Sequence, residues 1–572
     1  MYKLMVVMAL LFLFPWGAKG QKHVFDGANR LYGQPGVQFM QRLVPWTGDS
    51  VVAVEGLPQG LHYDAQRGCV TGCLGREGDY TYVVRVLHGG RLLRDSIHLT
   101  ISSHLQQPTP FMGWLSWNVV ESEISTEVVR TVAEAMRESG LKAAGYRYLV
   151  VDDLWHAARR DSLTHRPLAD EKKFPHGMGE AVAIAHENGL RFGIYSDAAA
   201  KTCAGCYGSY GYEREDAEQY AQWGVDLLKY DYCHAPTERD SAQVRYRRMG
   251  DALEATGRQM LYYMCEWGQR QPWLWGETTG ATCWRTTYDT RDGWNGKWGG
   301  VGVLQSIEGM RSIWPYSGVN RWNDADMLCI GIHGTGKSSS DLVEGRPGMS
   351  MDEYATQMAL WCLWSSPLTL SFDLRKPISP DDIALMTNPE LLALDQDLMG
   401  QQAQPLWERN GLILWVKPLE NGDVALGLTN MNDTAARGTI KLDEIPYLDH
   451  GKHYHVRDVM HRFSQTPTRG EWRVALNRHQ TAVYRLAEMA EDEVTGEEYR
   501  LQVREQRNRL EVEFKGAENA PKRIVVTDPY GRVLSEQRGS GQRFRLPLPK
   551  EEYVVRAVAQ GKACCWSPEE KD

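Results

Sequence analysis

Between Phe111 and Gln396 the chain alternates strand-like and helix-like segments, a pattern that points to a parallel sheet wrapped by helices. The strand-like runs are Phe111–Trp117, Tyr146–Asp153, Arg191–Asp197, Val225–Asp231, Gln259–Trp267, Ala281–Asp289, Arg321–Leu328 and Pro367–Asp373. Between them, Val128, Val132 and Met136 fall on one helical face, with Arg130, Glu134 and Arg137 elsewhere. A capping box, Ser350-x-x-Glu353, announces another helix over Tyr354–Ser366. Eight such units fit a (β/α)8 barrel, which needs ~250 residues. The expected fold is a central (β/α)8 TIM barrel over residues 106–398.

The remaining chain is too long to be absorbed by one core, so flanking domains are expected. Residues 21–105 read as β: Val51–Val54, Tyr80–Val84 and Ile97–Ile101 are strand candidates separated by Gly-rich turns. The run Gly56–Leu61, with Gly68, Gly72 and Gly78-Asp79-Tyr80, resembles immunoglobulin-like modules beside bacterial surface proteins. Cys69 and Cys73 could bridge a turn there. After Met399 the helical period disappears. Leu412–Val416, Val424–Leu428 and Ala482–Leu486, with turns at Asn410-Gly411 and Asn421-Gly422, read as an antiparallel β-sandwich over 399–487. An acidic linker and a short accessory β domain fill 488–572. In the latter, Asp528–Val533 and Tyr553–Arg556 loosely resemble C-terminal sorting modules of exported bacterial proteins.

Residues 1–20 read as a secretory signal: Lys3, the apolar run Leu4–Phe14, then Ala18-Lys19-Gly20. The expected location is therefore exported: periplasmic, cell-surface or secreted. No later stretch is long and apolar enough for a membrane span. A net charge of −9 argues against nucleic acid as a partner. Eleven cysteines in an oxidising compartment can form disulfides, and the odd count leaves at least one unpaired. Cys203-Ala204-Gly205-Cys206 has redox or zinc-ligand spacing. No second pair supports zinc, so a structural disulfide is preferred.

Polar groups at the C-terminal ends of barrel strands point into the site. Here those ends carry Trp117, Asp152, Asp153, Tyr195, Asp197, Lys229, Asp231, Glu266, Arg285, Asp289, Asp324 and Asp326. One such Asp is most simply a helix cap. Acidic groups at so many strand ends need another reason, because burying that much charge is costly. A polyhydroxylated ligand, rich in donors, supplies it. Two carboxylates at one rim, Asp231 and Asp289, are the minimum for cleaving a glycosidic bond.

Met112–Trp117, Tyr148–Trp155, Phe174-Pro175-His176-Gly177, Phe192–Asp197, Lys201–Gly205, Trp223–Asp231, Cys265-Glu266-Trp267 and Trp322–Met327 resemble glycoside hydrolase family 27, the α-galactosidase / α-N-acetylgalactosaminidase family. The resemblance spans the barrel and the following sandwich. It implies retention through a covalent glycosyl-enzyme, with Asp231 as nucleophile and Asp289 as general acid/base. It also implies that Asp152 and Asp153 hold the sugar's 4- and 6-hydroxyls and that Trp117 is an aromatic platform. Tyr195, Lys229, Arg285, Asp326 and Met327 are further sugar contacts in this reading. Glu266 lies where galactose-specific members meet the 2-hydroxyl, and N-acetylgalactosamine-specific members carry a small residue. The expected activity is removal of terminal α-D-galactose from oligo- or polysaccharides. A β-L-arabinopyranosidase or α-N-acetylgalactosaminidase on the same scaffold is the alternative, and a non-hydrolytic sugar-binding protein the distant one.

The resemblance further implies a Cys203–Cys233 disulfide beside the nucleophile, and leaves a Cys265–Cys283 pairing open. Leu154 and Ala325 depart from a Cys and a Pro usual in the family. No metal or organic cofactor is implied, and the sequence sets no oligomeric state. Lys229 should keep Asp231 ionised, and Asp289 should have a raised pKa. One decoy remains: Gly331–Ser338 fits the P-loop pattern, but its helix starts only after Ser350 and the compartment lacks ATP.

Overall fold

Alternation along each strand sorts this chain into two cores. On the strand Leu227–Asp231, Leu228 and Tyr230 point outward into the cluster shared with the helices. Leu227 points the other way, into a separate cluster with Leu115, Tyr148, Val150, Leu261, Tyr263 and Trp322. That second cluster fills a barrel. The computed structural model describes residues 25–46, 48–296, 300–335, 348–449, 451–465, 470–489, 500–515, 522–527, 533–550, 553–559 and 562–566. The expected signal, most of the acidic linker, Asp528–Arg532 and the end of the P-loop-like stretch lie outside the described residues.

The barrel strands are β1 (Met112–Leu115), β2 (Tyr148–Val150), β3 (Arg191–Asp197), β4 (Leu227–Asp231), β5 (Leu261–Cys265), β6 (Cys283–Arg285), β7 (Trp322–Asp324) and β8 (Leu368–Leu370). They pair in parallel in the order β7-β6-β5-β4-β3-β2-β1-β8, and a parallel bridge between Leu328 and Leu370 closes the ring. The expected TIM barrel is thus present. Space inside is tight. Gly193 on β3 sits between Val150 and Leu227, and a Cβ there would come within 2.8 Å of Val150.

Helices α1 (Thr126–Glu138), α2 (Met178–Glu187), α3 (Glu213–Trp223), α4 (Arg239–Ala255), α5 (Val303–Met310) and α6 (Met351–Trp364) surround it. The Ser350–Glu353 capping box forms as expected and starts α6. Between β5 and β6 the crossover holds only 3-10 turns, Pro272–Leu274 and Gly276–Thr279.

The N-terminal β region docks at the opposite end from the expected site. Its Arg42 donates to the Gln402 carbonyl (2.7 Å) and lies 4.0 Å from the Trp314 ring centroid. Tyr32 donates to Glu277 (3.2 Å), and Glu277 pairs with Arg321, the residue just before β7. Of these partners Glu277 precedes β6, and Trp314 and Arg321 precede β7, so the module braces the N-terminal face of the barrel, where TIM barrels keep stability rather than chemistry. Cys69 and Cys73 do not bridge a turn. They end one extended strand, Cys69–Cys73, about 13 Å apart at strand rise, well beyond disulfide reach.

After the barrel, strands including Leu412–Pro418, Val424–Asn430 and Thr481–Glu488 form a six-stranded antiparallel sheet. It packs on α6, where buried Lys417 donates to Ser365 Oγ at 2.6 Å. A further pair of small antiparallel sheets lies within Arg500–Trp566.

Candidate active site

The same period-two rule that fills the barrel floor builds the site at its top. Continuing inward from Leu227 come Lys229 and Asp231; from Tyr148 and Val150 comes Asp152; from Cys283 comes Arg285. Parallel register sets Tyr195 beside Lys229, and Asp197 beside Asp231. The chain then turns sharply. Leu154, His234, Trp267 and Asp326 all have positive φ, between 54° and 75°, within a few residues past β2, β4, β5 and β7. Strained non-glycine backbone collected at four strand ends marks a site held in place by its surroundings.

A pocket of about 160 Å³ opens there, lined by Trp117, Asp152, Asp153, Tyr195, Cys203, Lys229, Asp231, Trp267, Tyr288 and Asp289. Tyr195 donates to Asp231 Oδ2 at 3.0 Å, and the Tyr232 amide donates to Oδ1 at 2.9 Å. Lys229 pairs not with Asp231 but with Asp152 Oδ2, at 2.7 Å. Asp153 accepts from the Ala204 and Leu154 amides at 2.9 and 2.7 Å. Asp289 is gripped by two guanidiniums: Arg285 Nη2 at 3.1 Å and Arg291 Nη2 at 3.4 Å.

Four of the expected contact residues stand behind this wall rather than on it. Arg285 is fully buried and spans Asp289 and Asp326, the latter at 2.8 Å. Asp326 also accepts from the Thr290 amide at 2.6 Å. Met327 belongs to the barrel-interior cluster. Glu266 is buried and held by Arg270, whose amide and Nη1 lie 2.9 and 3.2 Å from Oε2. Asp197 is spent on backbone, accepting from Cys233 and Ala199 amides at 2.9 and 2.8 Å.

Cys203 and Cys233 are bonded, and the Cys203 sulfur lies 3.4 Å from Asp231 Oδ2. Cys206 stays a thiol, as do Cys265 and Cys283. The last two cannot meet easily, because register sets Cys283 opposite Tyr263, two residues from Cys265. Cys233→Ser should destabilise the protein by about 3–4 kcal/mol, from the chain entropy of a 30-residue loop. Denaturant unfolding of both proteins under non-reducing conditions measures it. Ala325, in place of the usual Pro, gains an amide that donates to Ser366 Oγ at 2.9 Å.

Known proteins resemble this chain in sequence and fold. The family model described as "Alpha galactosidase A" matches residues 109–397, and "Alpha galactosidase C-terminal beta sandwich domain" matches 409–486. The chain belongs to the α-galactosidase family, glycoside hydrolase family 27. Among its relatives, α-galactosidase A of Cellvibrio japonicus is 39% identical over 57% of this chain and 77% of its own. The α-galactosidase of Cyamopsis tetragonoloba is 34% identical over 69% and 93%. The crystal structure of α-galactosidase I from Mortierella vinacea superposes with a TM-score of 0.62 at 30% identity, covering 67% of this chain and 98% of that one.

Electrostatics in this family site run against the sequence-based expectation. Burial pushes the Asp231 carboxyl up to about 7, with Lys229 opposing and the Asp289 charge adding to it. Burial would raise Asp289 too, but Arg285 and Arg291 outweigh it and hold that carboxyl below the usual range. Burial thus favours the protonated form at Asp231, and the two arginines favour the ionised form at Asp289. Lys229 fails to prevent this because Asp152 takes the direct bond. Glu266 is likewise pushed up, to about 7, by burial against the pull of Arg270.

Sequence reasoning missed Arg291, Trp267, Tyr288 and Arg270. Arg291 and Tyr288 flank Asp289 and could have been found as neighbours of the proposed acid. Arg270 stands four residues after Glu266, an ion-pair spacing that was legible.

Proposed function

We propose that this protein is a retaining α-galactosidase that removes terminal α-D-galactose from oligo- or polysaccharides by double displacement. One observation carries the reading: two carboxyls with opposed proton affinities, Asp231 and Asp289, line one small pocket with the Asp152–Lys229 pair. Asp231 is the nucleophile at the anomeric carbon, deep in the pocket and 5% exposed. Asp289, whose side chain is 27% exposed, stands toward the mouth and protonates the departing oxygen. Tyr195 orients the nucleophile. Asp152 and Asp153 accept from the 4- and 6-hydroxyls, with Lys229 fixing Asp152, and Trp117 stacks on the apolar face of the ring.

For the sugar to react, the proton must be on Asp289 and Asp231 must be ionised. Positive charge growing at the anomeric carbon stabilises an ionised Asp231, and negative charge on the leaving oxygen draws the proton from Asp289. Arg285, Asp326 and Met327 act through the wall residues, with Arg285 oriented by Asp326. Glu266, held by Arg270, selects against a 2-acetamido group. The signal-like first 20 residues support export.

Hydrolysis of nitrophenyl α-galactoside, β-L-arabinopyranoside and α-N-acetylgalactosaminide tests the proposal. The α-galactoside should be cleaved fastest, with a first product of retained configuration. Glu266→Ser should gain activity on the N-acetylgalactosaminide. Preference for the arabinopyranoside would move the assignment to that activity, and no gain in the variant would remove Glu266 from selectivity.

A further inference from the structure

The disulfide uses only half of the Cys203-x-x-Cys206 pattern. Cys203 bonds to Cys233, and Cys206 stays a half-buried thiol. Its sulfur belongs to a compact group with Asp153 and His156, whose ligand atoms all lie within 4.8 Å of one another. Asp153 and His156 follow β2, and Cys206 follows β3, so two neighbouring strand-end loops bring the three together.

His156 is the unusual member. Its side chain is 1% exposed, stacked on Trp155 with 3.9 Å between ring centroids, and met edge-on by Tyr207 at 5.0 Å. Among the described residues neither of its ring nitrogens has a hydrogen-bond partner. An imidazole buried without any bond is costly and calls for a reason. Asp153 Oδ1 lies 3.8 Å from Nδ1. That is too long for a hydrogen bond. It is close to the spacing of two ligands on one ion: nitrogen and oxygen about 2.0–2.2 Å from a tetrahedral zinc stand roughly 3.4 Å apart.

The neighbouring cations are engaged elsewhere. Arg160 is held by both oxygens of Asp216, and Lys173 donates to the Leu154 carbonyl at 2.6 Å. Asp153 accepts from the Leu154 and Ala204 amides and from the Thr202 side chain, and a carboxylate, with about four lone-pair sites, can still give one to an ion. Imidazole, thiolate and carboxylate together suit a borderline-soft ion such as zinc. They suit calcium and magnesium poorly, because those ions take oxygen.

We propose that Asp153, His156 and Cys206 form a zinc site, in which zinc binds imidazole, carboxylate and thiolate and the thiol proton of Cys206 passes to water. Asp153 is also the residue given to the 6-hydroxyl of galactose, so a bound ion draws off the charge to which that hydroxyl donates. Zinc and galactoside therefore oppose each other. This consequence, unlike the site itself, rests on the α-galactosidase reading.

Zinc titrated into the untagged protein, without reducing agent, tests the site. About one ion per chain should bind, with release of a proton. Cys206→Ser and His156→Gln should each weaken binding at least about tenfold. In zinc-free solution both should hydrolyse nitrophenyl α-galactoside within about twofold of wild type. Cys206, being half-buried, carries the test if the His156 variant does not fold. Cobalt(II) as a probe should give sulfur-to-metal charge-transfer absorption in the wild type and none in Cys206→Ser. Saturating zinc should raise the wild-type KM about tenfold, as for a weakened hydrogen bond to a charged group, and leave kcat little changed. Cys206→Ser should escape that rise. No binding, binding untouched by Cys206→Ser, or cobalt bound without the charge-transfer band would overturn the site. Zinc at full occupancy with KM unchanged would overturn its opposition to substrate. A protein that binds zinc as expected yet is inert toward the galactoside when zinc-free would sink the underlying activity and leave the site standing.

Discussion

Asp231→Asn is expected to lower kcat on an α-galactoside by on the order of 10⁴-fold or more while the protein stays folded. The chemical loss is total at this position, since a neutral amide cannot form the glycosyl-enzyme. The structural loss is small. Asp231 Oδ1 accepts from the Tyr232 amide and Oδ2 from Tyr195, and a side-chain amide of equal shape can keep one of those bonds through its oxygen. The substitution also removes a carboxyl that burial already holds up to about 7, so folding loses no well-solvated charge. Circular dichroism and unfolding should match wild type while nitrophenyl galactoside turnover vanishes. Activity near wild type would end the nucleophile assignment; unfolding would leave it to be tested by Asp231→Gly with azide as external nucleophile, which should restore turnover.

The fold was readable because its determinants are local. Each barrel strand announces itself by an apolar run ending in polar residues, as in Leu227–Asp231, and α6 by a capping box in four residues. The wall of the pocket was readable for the same reason, since strand ends in a barrel converge. What escaped were relations between strand ends. Lys229 and Asp231 share a strand face, which suggested a pair, yet the cation reaches across to Asp152 on the β2 side. Arg285 was expected on the sugar, and its pairing with both Asp289 and Asp326 was not foreseen. Side-chain length and rotamer decide those contacts, and sequence spacing is blind to both. The cysteines divide likewise: the Cys203–Cys233 bond was implied by resemblance, whereas Cys265 and Cys283 needed the register of β5 on β6 to be separated.

Arg291→Met should move the alkaline limb of the kcat/KM profile upward by roughly one pH unit. In the free protein Asp231 and Asp289 titrate as one coupled pair, and turnover requires the form with the proton on Asp289. Arg285 and Arg291 both oppose that form, holding Asp289 below the usual carboxylate range. Arg291, 3.4 Å from Oδ2, can be removed while Arg285 still positions Oδ1. Taking away a cation raises the affinity of Asp289 for its proton. The pair then keeps that proton to higher pH, and more of it resides on the acid. Deprotonation of the pair ends activity, so the limb must rise, not fall. Part of the gain in productive protonation should be offset by a looser Asp289, seen as a lower plateau. Arg291→Lys, which restores the charge, should return the limb toward its wild-type position. A limb that stays in place in Arg291→Met, or moves to lower pH, would mean that the alkaline ionisation belongs to neither Asp231 nor Asp289. The raised Glu266 would then be the group to mutate next.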